Sequence, residues 1–536
     1  MRLFSLLAAG LVAVCGAVSA QPVVAEGPLR AHMAFLADDL LEGRGTGQRG
    51  GDLTVRYLET QAAIIGLKPG NGASYRQSVK MTGAQTRPTS YVKFDVGGQT
   101  ITPQLGRDIR FGNASSTEKV RFDAPVVFVG YGIDGPDEQW NDYAGFDAKG
   151  KLLIMMVNDP KPTAQEPRRF GGKSLTYYGR WMYKYEEALR KGAAGVLLIH
   201  TTAGASYPWS VVANNVEREL FSPAGKGNAM QGWIDEDAAR GLFSAAGKDL
   251  DALRAQAEVR GFKPVELGAV AHVALDSTLR SIEQFNIIGI VPGSDPKLKD
   301  EAVIYSAHWD HLGKAAVPGK PDYIWNGAID NASGTAALLA MAQVAVHKPA
   351  RRTQIFFWPC AEEQLLIGSL HYASAPLWPL AKTVANLNLE SMNFVGRTRD
   401  MGVAGAERSS LHASAAKVAK AMGMRLAPAI PDLSGAYFRS DHFSFAKAGV
   451  PAFTVGSSVF SGDGSFDFEQ DKAAGSARIV GFNQHYHKDS DDYDPHWDLS
   501  GMVQQAQFAL NLGYLVANGR TVPSWTRSDP FGRVKR

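Results

Sequence analysis

Five short stretches in the second half of the sequence are rich in side chains that bind metal ions and transfer protons. They read "AHWDHLG", "GAIDNASG", "CAEEQ", "NLESMN" and "HYHKDSDDYDP". The candidate residues among their imidazole and carboxylate side chains are His308, Asp310, His311, Asp330, Glu362, Glu363, Glu390, His485 and His487. A single histidine or aspartate is more often a cap or a surface residue, but histidines with several carboxylates and no thiolate have the composition of a zinc site. The set therefore predicts a metal centre.

Glu362 and Glu363 stand side by side at the end of the apolar run "FFWPCAEEQ". Like charges this close repel, and at the edge of a core neither is easily hydrated, so the pair needs a neutralising partner. Two divalent cations would provide it, because one glutamate can bind a metal while the other acts as general base on a water. Adjacent residues on a strand point to opposite faces, which suits two roles. Asp310, two residues after His308, is placed to hold the second nitrogen of that imidazole.

The elements that must position these residues alternate regularly from about residue 285. The sequence predicts strands over 302–308, 353–360, 383–391 and 451–457. It predicts helices over 334–347, 364–375, 409–423 and 498–518, the last with Asp498 as its cap. This alternation of apolar strands with helices predicts an α/β fold, with a mainly parallel (mixed) central sheet and helices on both faces. The candidate residues follow the strands, and the carboxyl ends of such strands are where reactive groups collect.

The sequence before residue 285 has a different character. Helical spacing dominates from about 26 to 65, and "GTGQRG" within it follows a helix rather than a strand, so we interpret it as a flexible turn and not as a nucleotide-binding loop. From about residue 118 short β-rich runs appear without any cluster of metal ligands, which indicates an inserted domain. The predicted organisation is a signal sequence over 1–20, a first part of the catalytic domain over 21–115, an insert over 116–280, the catalytic domain over 281–520 and a tail over 521–536.

Composition and the amino terminus limit the function classes. With 45% apolar residues, 20% charged residues and a formal net charge of +3, nothing indicates binding to nucleic acid or to an anionic membrane surface. The stretch "MRLFSLLAAGLVAVCGAVSA" predicts a secretory signal cleaved after Ala20, with an uncleaved membrane anchor as the alternative. We expect an exported protein, periplasmic or extracellular, without a membrane span after signal removal. Cys360 would then be the single cysteine, and we interpret it as a buried packing residue rather than a nucleophile.

These motifs, taken in order, resemble a known family. The stretches "FLADDLLEGRGTGQRG", "VVFVGYGI", "SAHWDHLG", "NGAIDNASG", "AEEQLLIGS", "RSDHFSFAKAGVP" and "YHKDSDDYDP" are similar to the co-catalytic zinc exopeptidases of the secreted bacterial leucine-aminopeptidase type, peptidase family M28. In particular, the chain resembles the subgroup whose catalytic domain is interrupted by a protease-associated domain. The resemblance implies a zinc-exopeptidase fold, a smaller β-rich protease-associated insert, two Zn²⁺ per chain and peptide substrates.

The resemblance also implies a role for each site residue. The implied metal ligands are His308 and Glu390 for the first zinc, Asp330 for both ions, and Glu363 and His487 for the second. Glu362 would be the base that takes a proton from the water between the ions. Tyr486 would donate a hydrogen bond to the developing oxyanion, with a packed aromatic residue as the alternative. Most relatives have aspartate where this chain has Glu390, and glutamate keeps the charge on an arm one methylene longer.

Other residues and functions stay open at this level. His485 is an alternative to His487 as a ligand, His311 is expected to be structural, and Asp441 and His442 of "RSDH" are expected to lie next to the site. The leading function is a secreted aminopeptidase. The alternatives on the same fold are a carboxypeptidase, which would need an arginine cluster where Arg439 alone is evident, and a glutaminyl cyclotransferase with a single zinc ion. A non-catalytic binding ectodomain is the alternative of a different class.

Overall fold

The structure is a computed structural model that describes residues 23–205, 207–213, 219–317, 320–456 and 466–534. The predicted signal sequence lies outside the described residues. The α-helices of the described residues are α1 Glu26–Leu36, α2 Arg49–Ile65, α3 Trp181–Arg190, α4 Thr202–Ala205, α5 Trp209–Ala213, α6 Glu236–Ala245, α7 Leu250–Ala257, α8 Ser333–Ala345, α9 Ile367–Ser374, α10 Leu411–Ala421, α11 His442–Lys447, α12 Lys472–Phe482 and α13 Ser500–Asn518.

The strands of the described residues form one large branched sheet and three short hairpins or pairs. They are β1 Lys68–Pro69, β2 Arg76–Thr86, β3 Tyr91–Val96, β4 Gln99–Ile101, β5 Ile109–Gly112, β6 Lys119–Phe128, β7 Asp134–Gly135, β8 Trp140–Asn141, β9 Leu152–Met156, β10 Gly195–His200, β11 Leu220–Pro223, β12 Gln231–Asp235, β13 Val265–Val291, β14 Ala302–Ser306, β15 Gly313–Val317, β16 Lys320–Trp325, β17 Thr353–Trp358, β18 Thr383–Leu389, β19 Asp400–Met401, β20 Arg425–Leu426 and β21 Ala452–Val455.

Four parallel strands form the part of the sheet that carries the candidate site. They lie in the order β21, β18, β14 and β17, and β13 then pairs antiparallel with β17. Every residue of β14, β17 and β18 is buried, as expected of strands covered on both faces. The helix pair α8 and α13 and the helix pair α9 and α11 each pack on this sheet. The predicted mixed, mainly parallel α/β architecture is confirmed.

The predicted elements of this region correspond to observed ones. The four predicted strands are β14, β17, β18 and β21, and the four predicted helices are α8, α9, α10 and α13. The ends differ by one to three residues, because propensity does not fix the last hydrogen bonds of an element. Asp498 was predicted to cap α13; it accepts a hydrogen bond from the backbone N–H of Ser500 at 3.0 Å, but Leu499 occupies the N-cap position.

β13 is 27 residues long and joins two regions of the molecule. Its first part pairs with β3 and β6, and its last part pairs with β2 and β17. The apolar cores follow the same division. One core takes its buried residues from 24–81 and 282–517, whereas two others take theirs from 92–275. The β-rich region thus has cores of its own, and they begin at Val92, before the predicted boundary at residue 116.

Polar and aromatic contacts join residues 174–177, which belong to the predicted insert, to residues 432–443. The backbone N–H of Leu175 donates to the carbonyl of Asp432 at 2.8 Å, and the N–H of Asp432 donates to the Ser174 hydroxyl at 3.1 Å. Tyr177 lies against Phe443 with ring centroids 4.7 Å apart. These contacts hold the start of α3 against the loop around residue 432.

No helix in the described part of the chain has both the length and the apolarity needed to cross a membrane.

Cys360 is free and fully buried, and burial raises the pKa of its thiol well above the ordinary value. A thiol that stays protonated is a poor nucleophile, so Cys360 is a packing residue, as predicted.

Candidate metal centre

The candidate ligands lie where the parallel strands end. His308 comes two residues after β14, Glu363 comes five residues after β17, and Glu390 directly follows β18. Asp330 lies in the loop immediately before α8, and His487 lies between α12 and α13. Since parallel strands all end at one edge of the sheet, the first three ligands are brought together by the topology alone. The other two depend on loops.

The loop "GAIDNASGT" is tied to the ends of both neighbouring strands. Asn331 donates from its amide to the carbonyl of Leu389 at 3.0 Å, and the Thr335 hydroxyl donates to the carbonyl of His308 at 2.6 Å. Gly327 has φ of 55°, and a Cβ there would lie 2.4 Å from Cγ of the His311 ring. These features fix Asp330 between the strand that leads to His308 and the strand that leads to Glu390.

The carboxylate of Asp330 is shared between two imidazoles. Its Oδ1 lies 3.3 Å from Nε2 of His308, and its Oδ2 lies 3.2 Å from Nε2 of His487. Oε1 of Glu390 lies 3.1 Å from the same nitrogen of His308, and Oε2 of Glu363 lies 3.1 Å from the same nitrogen of His487. The side chains thus form two clusters, each with one imidazole and one further carboxylate, joined by Asp330.

Glu362 stands slightly apart from these ligands. Its Oε2 lies 3.9 Å from Nε2 of His308, farther than the corresponding oxygens of Asp330 and Glu390, and its side chain is 11% exposed. By distance alone, two sets could each hold an ion, namely His308 with Glu362 and Glu390, and His311 with Asp330 and Glu363. These sets differ from the predicted ligands by including Glu362 and His311. We favour Glu390 and Asp330 as partners of His308 because their oxygens are closer.

Asp310 supports the centre differently from the prediction. Its backbone carbonyl lies 3.0 Å from Nδ1 of His308, whereas its carboxylate is 3.7 Å from that nitrogen. The carboxylate instead accepts the backbone N–H of Glu362 at 3.0 Å and the hydroxyl of Thr46 at 3.3 Å. β14 ends at Ser306, so the side-chain alternation of a strand does not extend to Asp310. Asp310 thereby positions the Glu362–Glu363 segment, and the "GTGQRG" turn contributes one of its hydrogen-bond donors.

The two remaining histidines of the motifs have different surroundings. His311 is fully buried, and its Nδ1 lies 2.6 Å from Oε1 of Glu363, so it touches a predicted ligand. His485 lies 2.7 Å from the hydroxyl of Ser490 through its Nδ1 and stacks on Phe482. The structure therefore brings His487, and not His485, to Asp330.

Asp441 lies next to the site, since its charge acts on Glu362, whereas the ring of His442 lies against Tyr437 and Thr454. Both are buried, and His442 contacts the hydroxyl of Thr454 at 2.9 Å. Burial raises the pKa of Asp441 to about 7, while the nearby charge of His308 acts in the opposite direction. Burial lowers the pKa of His442 to about 3, so this imidazole is neutral.

Tyr486 lies at the open side of the centre. Its ring stacks on that of His487 with centroids 3.9 Å apart, and 41% of the residue is exposed. Desolvation and the negative charges of Asp330 and Glu363 raise the pKa of its phenol well above the ordinary value. Given the exposure, we attribute the shift chiefly to these charges. The phenol is therefore a neutral hydrogen-bond donor near neutral pH.

The charges of the site depend strongly on one another. Burial would lower the pKa of His308, but the charges of Glu390 and Glu362 raise it well above the ordinary value. Burial acts on His487 in the same way, and Glu363 and Asp330 raise its pKa to about 10. Burial would raise the pKa of Asp330, but hydrogen bonds from the two histidines hold it well below its usual range. In the metal-free site, the carboxylates thus keep the imidazoles of His308 and His487 protonated.

The donor set fits metal ions. The carboxyl groups within the site are those of Asp310, Asp330, Glu362, Glu363 and Glu390. Burial, with the charges of Glu390 and Glu363, raises the pKa of Glu362 well above the ordinary value, so this carboxyl holds a proton in the metal-free site. The other carboxylates still outnumber the two charged imidazoles, and divalent cations would neutralise the excess negative charge. Imidazole nitrogens and carboxylate oxygens without a thiolate suit zinc.

Residues 286–511 match the sequence model of Peptidase family M28. This segment is an M28 peptidase domain. Because the M28 domain contains this cluster of metal-ligand side chains, the protein is a metallo-exopeptidase, a hydrolase. No curated protein sequence matches the chain.

Solved structures resemble the chain over nearly its whole length. The aminopeptidase from Aneurinibacillus sp. strain AM-1 matches with 17% identity and a TM-score of 0.51, covering 93% of this chain and 95% of that one. The zinc aminopeptidase BSAP from Bacillus subtilis matches with 18% identity and a TM-score of 0.47, covering 96% and 100%. The first match shows that the two chains share a fold.

Two residues that sequence reasoning missed shape the M28 domain around Asp330. The carboxylate of Asp491 accepts the backbone N–H groups of Ile329 at 3.0 Å and Asp330 at 3.1 Å, and burial raises its pKa to about 7. Arg44 is 1% exposed and donates to the backbone carbonyls of Leu36, Trp309, Asn326 and Gly327. Both residues stand in the quoted motifs, but their spacing alone did not reveal these partners.

Ser440 is a third missed residue of the M28 domain. Its hydroxyl donates to Oε2 of Glu390, while the amide of Asn388 donates to that hydroxyl at 2.7 Å. Asn388 in turn accepts the hydroxyl of Ser306 at 2.7 Å. This buried chain of hydrogen bonds fixes the long arm of Glu390 with its other oxygen toward His308.

We expect Ser440→Ala to weaken zinc binding about 10-fold, because partners that orient a ligand typically contribute this much to metal affinity. Competition between the protein and a chelator of known affinity measures the change. Ser374→Ala is the matched control, because Ser374 is exposed and its hydroxyl bonds only the carbonyl of His371. Equal zinc affinity in both variants would show that Ser440 does not orient Glu390.

Proposed function

We propose that the protein is an exported, zinc-dependent aminopeptidase that removes residues from the N-termini of peptides. The observation that carries the proposal is the carboxylate of Asp330, whose two oxygens face Nε2 of His308 and Nε2 of His487. A carboxylate placed in this way can hold two cations close together. The fold shared with a bacterial aminopeptidase supports the choice of reaction. Export rests on the signal pattern over 1–20.

Two zinc ions fit the side chains of the site. Those that would hold the first ion are His308, Glu390 and Asp330, and those that would hold the second are His487, Glu363 and Asp330. When bound, the ions would polarise the scissile carbonyl and increase the acidity of water.

Glu362 is the proposed general base. Its carboxylate is near the ligands but farther from His308 than they are, which leaves it available for proton transfer. It accepts the proton of the attacking water and delivers it to the leaving amine. The backbone N–H groups of Glu362 and Glu363 donate to the carboxylate of Asp310, and these hydrogen bonds hold the segment in place.

Tyr486 and the acidic groups are proposed to orient the substrate. The neutral phenol of Tyr486 donates a hydrogen bond to the oxygen that becomes negative as the carbonyl is attacked. The free α-amine of the substrate is cationic and is seated beside the carboxylates of Glu362 and Glu390. Peptides with a blocked amine lack this interaction.

The set of metal-ligand side chains favours an aminopeptidase over the alternative functions. A glutaminyl cyclotransferase with a single zinc ion would not need Glu363 and His487 beside a shared Asp330. A non-catalytic ectodomain would not need a carboxylate such as that of Glu362, which lies near the ligand side chains but farther from His308 than they do. The predicted insert over 116–280 is proposed to control access of substrate to the centre.

We expect the purified protein to cleave aminoacyl amides and free-amine peptides, and to leave N-blocked peptides intact. Activity should fall to background after treatment with a chelator and dialysis, and return with zinc, because the buried carboxylates need the cations. Product release from matched free and N-acetylated peptides measures the preference. Cleavage of the N-acetylated peptides alone would contradict the aminopeptidase proposal, and full activity after verified removal of metal would contradict the metal centre.

A further inference from the structure

One buried imidazole next to the second ligand cluster takes no part in the proposed reaction. We infer that His311 is a positioning residue: its Nδ1–H donates to Oε1 of Glu363 and so leaves Oε2 of Glu363 as the oxygen for the second zinc ion. This inference rests on the proposed function and concerns the second half of its metal centre. It gives a specific task to a residue that the sequence indicates only as structural.

The two oxygens of Glu363 have different partners. Oε1 lies 2.6 Å from Nδ1 of His311, whereas Oε2 lies 3.1 Å from Nε2 of His487. Oδ2 of Asp330 lies 3.2 Å from that same nitrogen of His487, so Oε2 is the oxygen on the side of the shared carboxylate. A hydrogen bond to an ionised group is short and strong, and it fixes Oε1 on the side of His311. Glu363 therefore offers one oxygen, Oε2, to an ion held with Asp330 and His487.

The proton in the contact between His311 and Glu363 belongs to the imidazole. An ionised carboxylate only accepts hydrogen bonds, so Nδ1 of His311 is the donor. The other ring nitrogen, Nε2, is buried and has no hydrogen-bond partner among the described residues. A proton on Nε2 would be buried without an acceptor, which is costly, so the imidazole carries its single N–H on Nδ1. This tautomer is the one that can hold Oε1 of Glu363.

The ring of His311 is enclosed by the segments that carry the ligands of the second ion. His311 is fully buried, and its ring meets that of His487 edge to face, with centroids 5.6 Å apart. A Cβ on Gly327, in the loop that carries Asp330, would lie 2.4 Å from Cγ of the ring. The imidazole is thus held from both sides, and its direction toward Glu363 is fixed.

The first ligand cluster has the same arrangement. The hydroxyl of Ser440 donates to Oε2 of Glu390, while Oε1 of Glu390 lies 3.1 Å from Nε2 of His308. Each glutamate ligand thus has one oxygen held by a neutral donor and the other directed toward an imidazole. The terminal torsion of a glutamate side chain has a broad preference, so its oxygens need such a partner to keep one direction. His311 orients Glu363 as Ser440 orients Glu390.

The test compares two substitutions of His311 by the zinc that each variant binds. The amide nitrogen of asparagine lies as many bonds from Cα as Nδ1 of histidine, so His311→Asn keeps a donor for Glu363, whereas His311→Leu has none. We expect His311→Leu to weaken the binding of one of the two zinc ions about 10-fold, and His311→Asn to bind both ions with nearly the wild-type affinity. A packing role predicts the opposite order, because leucine fills a buried apolar space better than asparagine.

Stepwise titration of the metal-free protein with zinc, in competition with a chelator of known affinity, measures both dissociation constants. Glu363→Asp shows whether His311 acts through residue 363, because aspartate keeps the charge on an arm too short to reach both His311 and the ion. In that background His311→Leu should weaken zinc binding no further, since the effects of coupled residues do not add. His412→Leu is the matched control, because His412 is exposed on α10, and it should bind zinc like the wild type.

An unchanged affinity for both ions in His311→Leu would overturn the inference. Equal losses in His311→Asn and His311→Leu would also overturn it, because they would make His311 a zinc ligand or a packing residue. If His311→Leu does not fold, His311→Gln takes its place, because its amide nitrogen lies one bond farther from Cα and should not replace Nδ1. Two zinc ions bound by the wild type without cleavage of free-amine peptides would contradict the proposed function and leave the role of His311 intact. A wild-type protein that binds only one zinc ion would overturn both.

Discussion

Replacing Glu362 with glutamine is expected to lower kcat on aminoacyl substrates about 10³-fold, while the zinc content stays at the wild-type level. Glutamine has nearly the same shape but cannot accept a proton, so the water and the leaving amine lose their proton carrier. The zinc content should persist because Oε2 of Glu362 lies 3.9 Å from Nε2 of His308, whereas Oε1 of Glu390 lies 3.1 Å from it. Steady-state kinetics and metal analysis on the same sample measure both quantities.

The control for this prediction is Glu266→Gln. Glu266 has a side chain that is 71% exposed and lies outside the catalytic region, so the same chemical change there should leave kcat unaltered. The wild-type amount of zinc with a small change in kcat would show that Glu362 is not the base. Loss of zinc together with activity would make Glu362 a ligand, as the alternative set of His308, Glu362 and Glu390 would have it.

Asp330→Asn is expected to abolish the binding of both zinc ions and to reduce activity to background. The substitution removes the charge that faces His308 at 3.3 Å and His487 at 3.2 Å, so each cluster keeps a single charged ligand beside its imidazole. The wild type should also be stabilised by added zinc, by about 2.7 kcal/mol for each ion at a concentration 100 times its Kd. The variant should lack this stabilisation. Metal analysis and thermal unfolding with and without zinc measure the effect.

Asp300→Asn serves as the matched control, since the side chain of Asp300 is 66% exposed and pairs only with Lys382. It should bind zinc and respond to zinc like the wild type. If Asp330→Asn retained one ion, the two clusters would be independent sites and Asp330 would not be their bridge. If it retained both, the proposed centre would be wrong.

Much of the catalytic region was predictable because its signals are local. The strands β14, β17 and β18 are mostly apolar and are buried along their whole length, and helices of regular spacing separate them. The ligands that follow these strands, His308, Glu363 and Glu390, then meet at one edge of the sheet by topology. The predicted roles of these residues stay predictions, but their proximity follows from the order of the strands.

The partners of the ligands were not predictable in the same way. Asp310 was expected to reach His308 with its carboxylate, yet β14 ends at Ser306 and that carboxylate instead accepts the backbone N–H of Glu362. Ser440 meets Glu390 only because the segment before α11 packs beside the end of β18. The periodicity of the sequence does not predict such contacts, since each depends on how a loop folds over its neighbours.

The sequence by itself determined the α/β class, the order of the strands and helices after residue 285 and the set of imidazoles and carboxylates, because burial and hydrogen bonding act residue by residue along the chain. The tertiary structure alone decided which atoms face each other: His487 rather than His485 at Asp330, and the hydroxyl of Ser440 at the carboxylate of Glu390. These pairings join residues that are remote in the chain. Only the packing of loops against the sheet brings these groups within reach of one another.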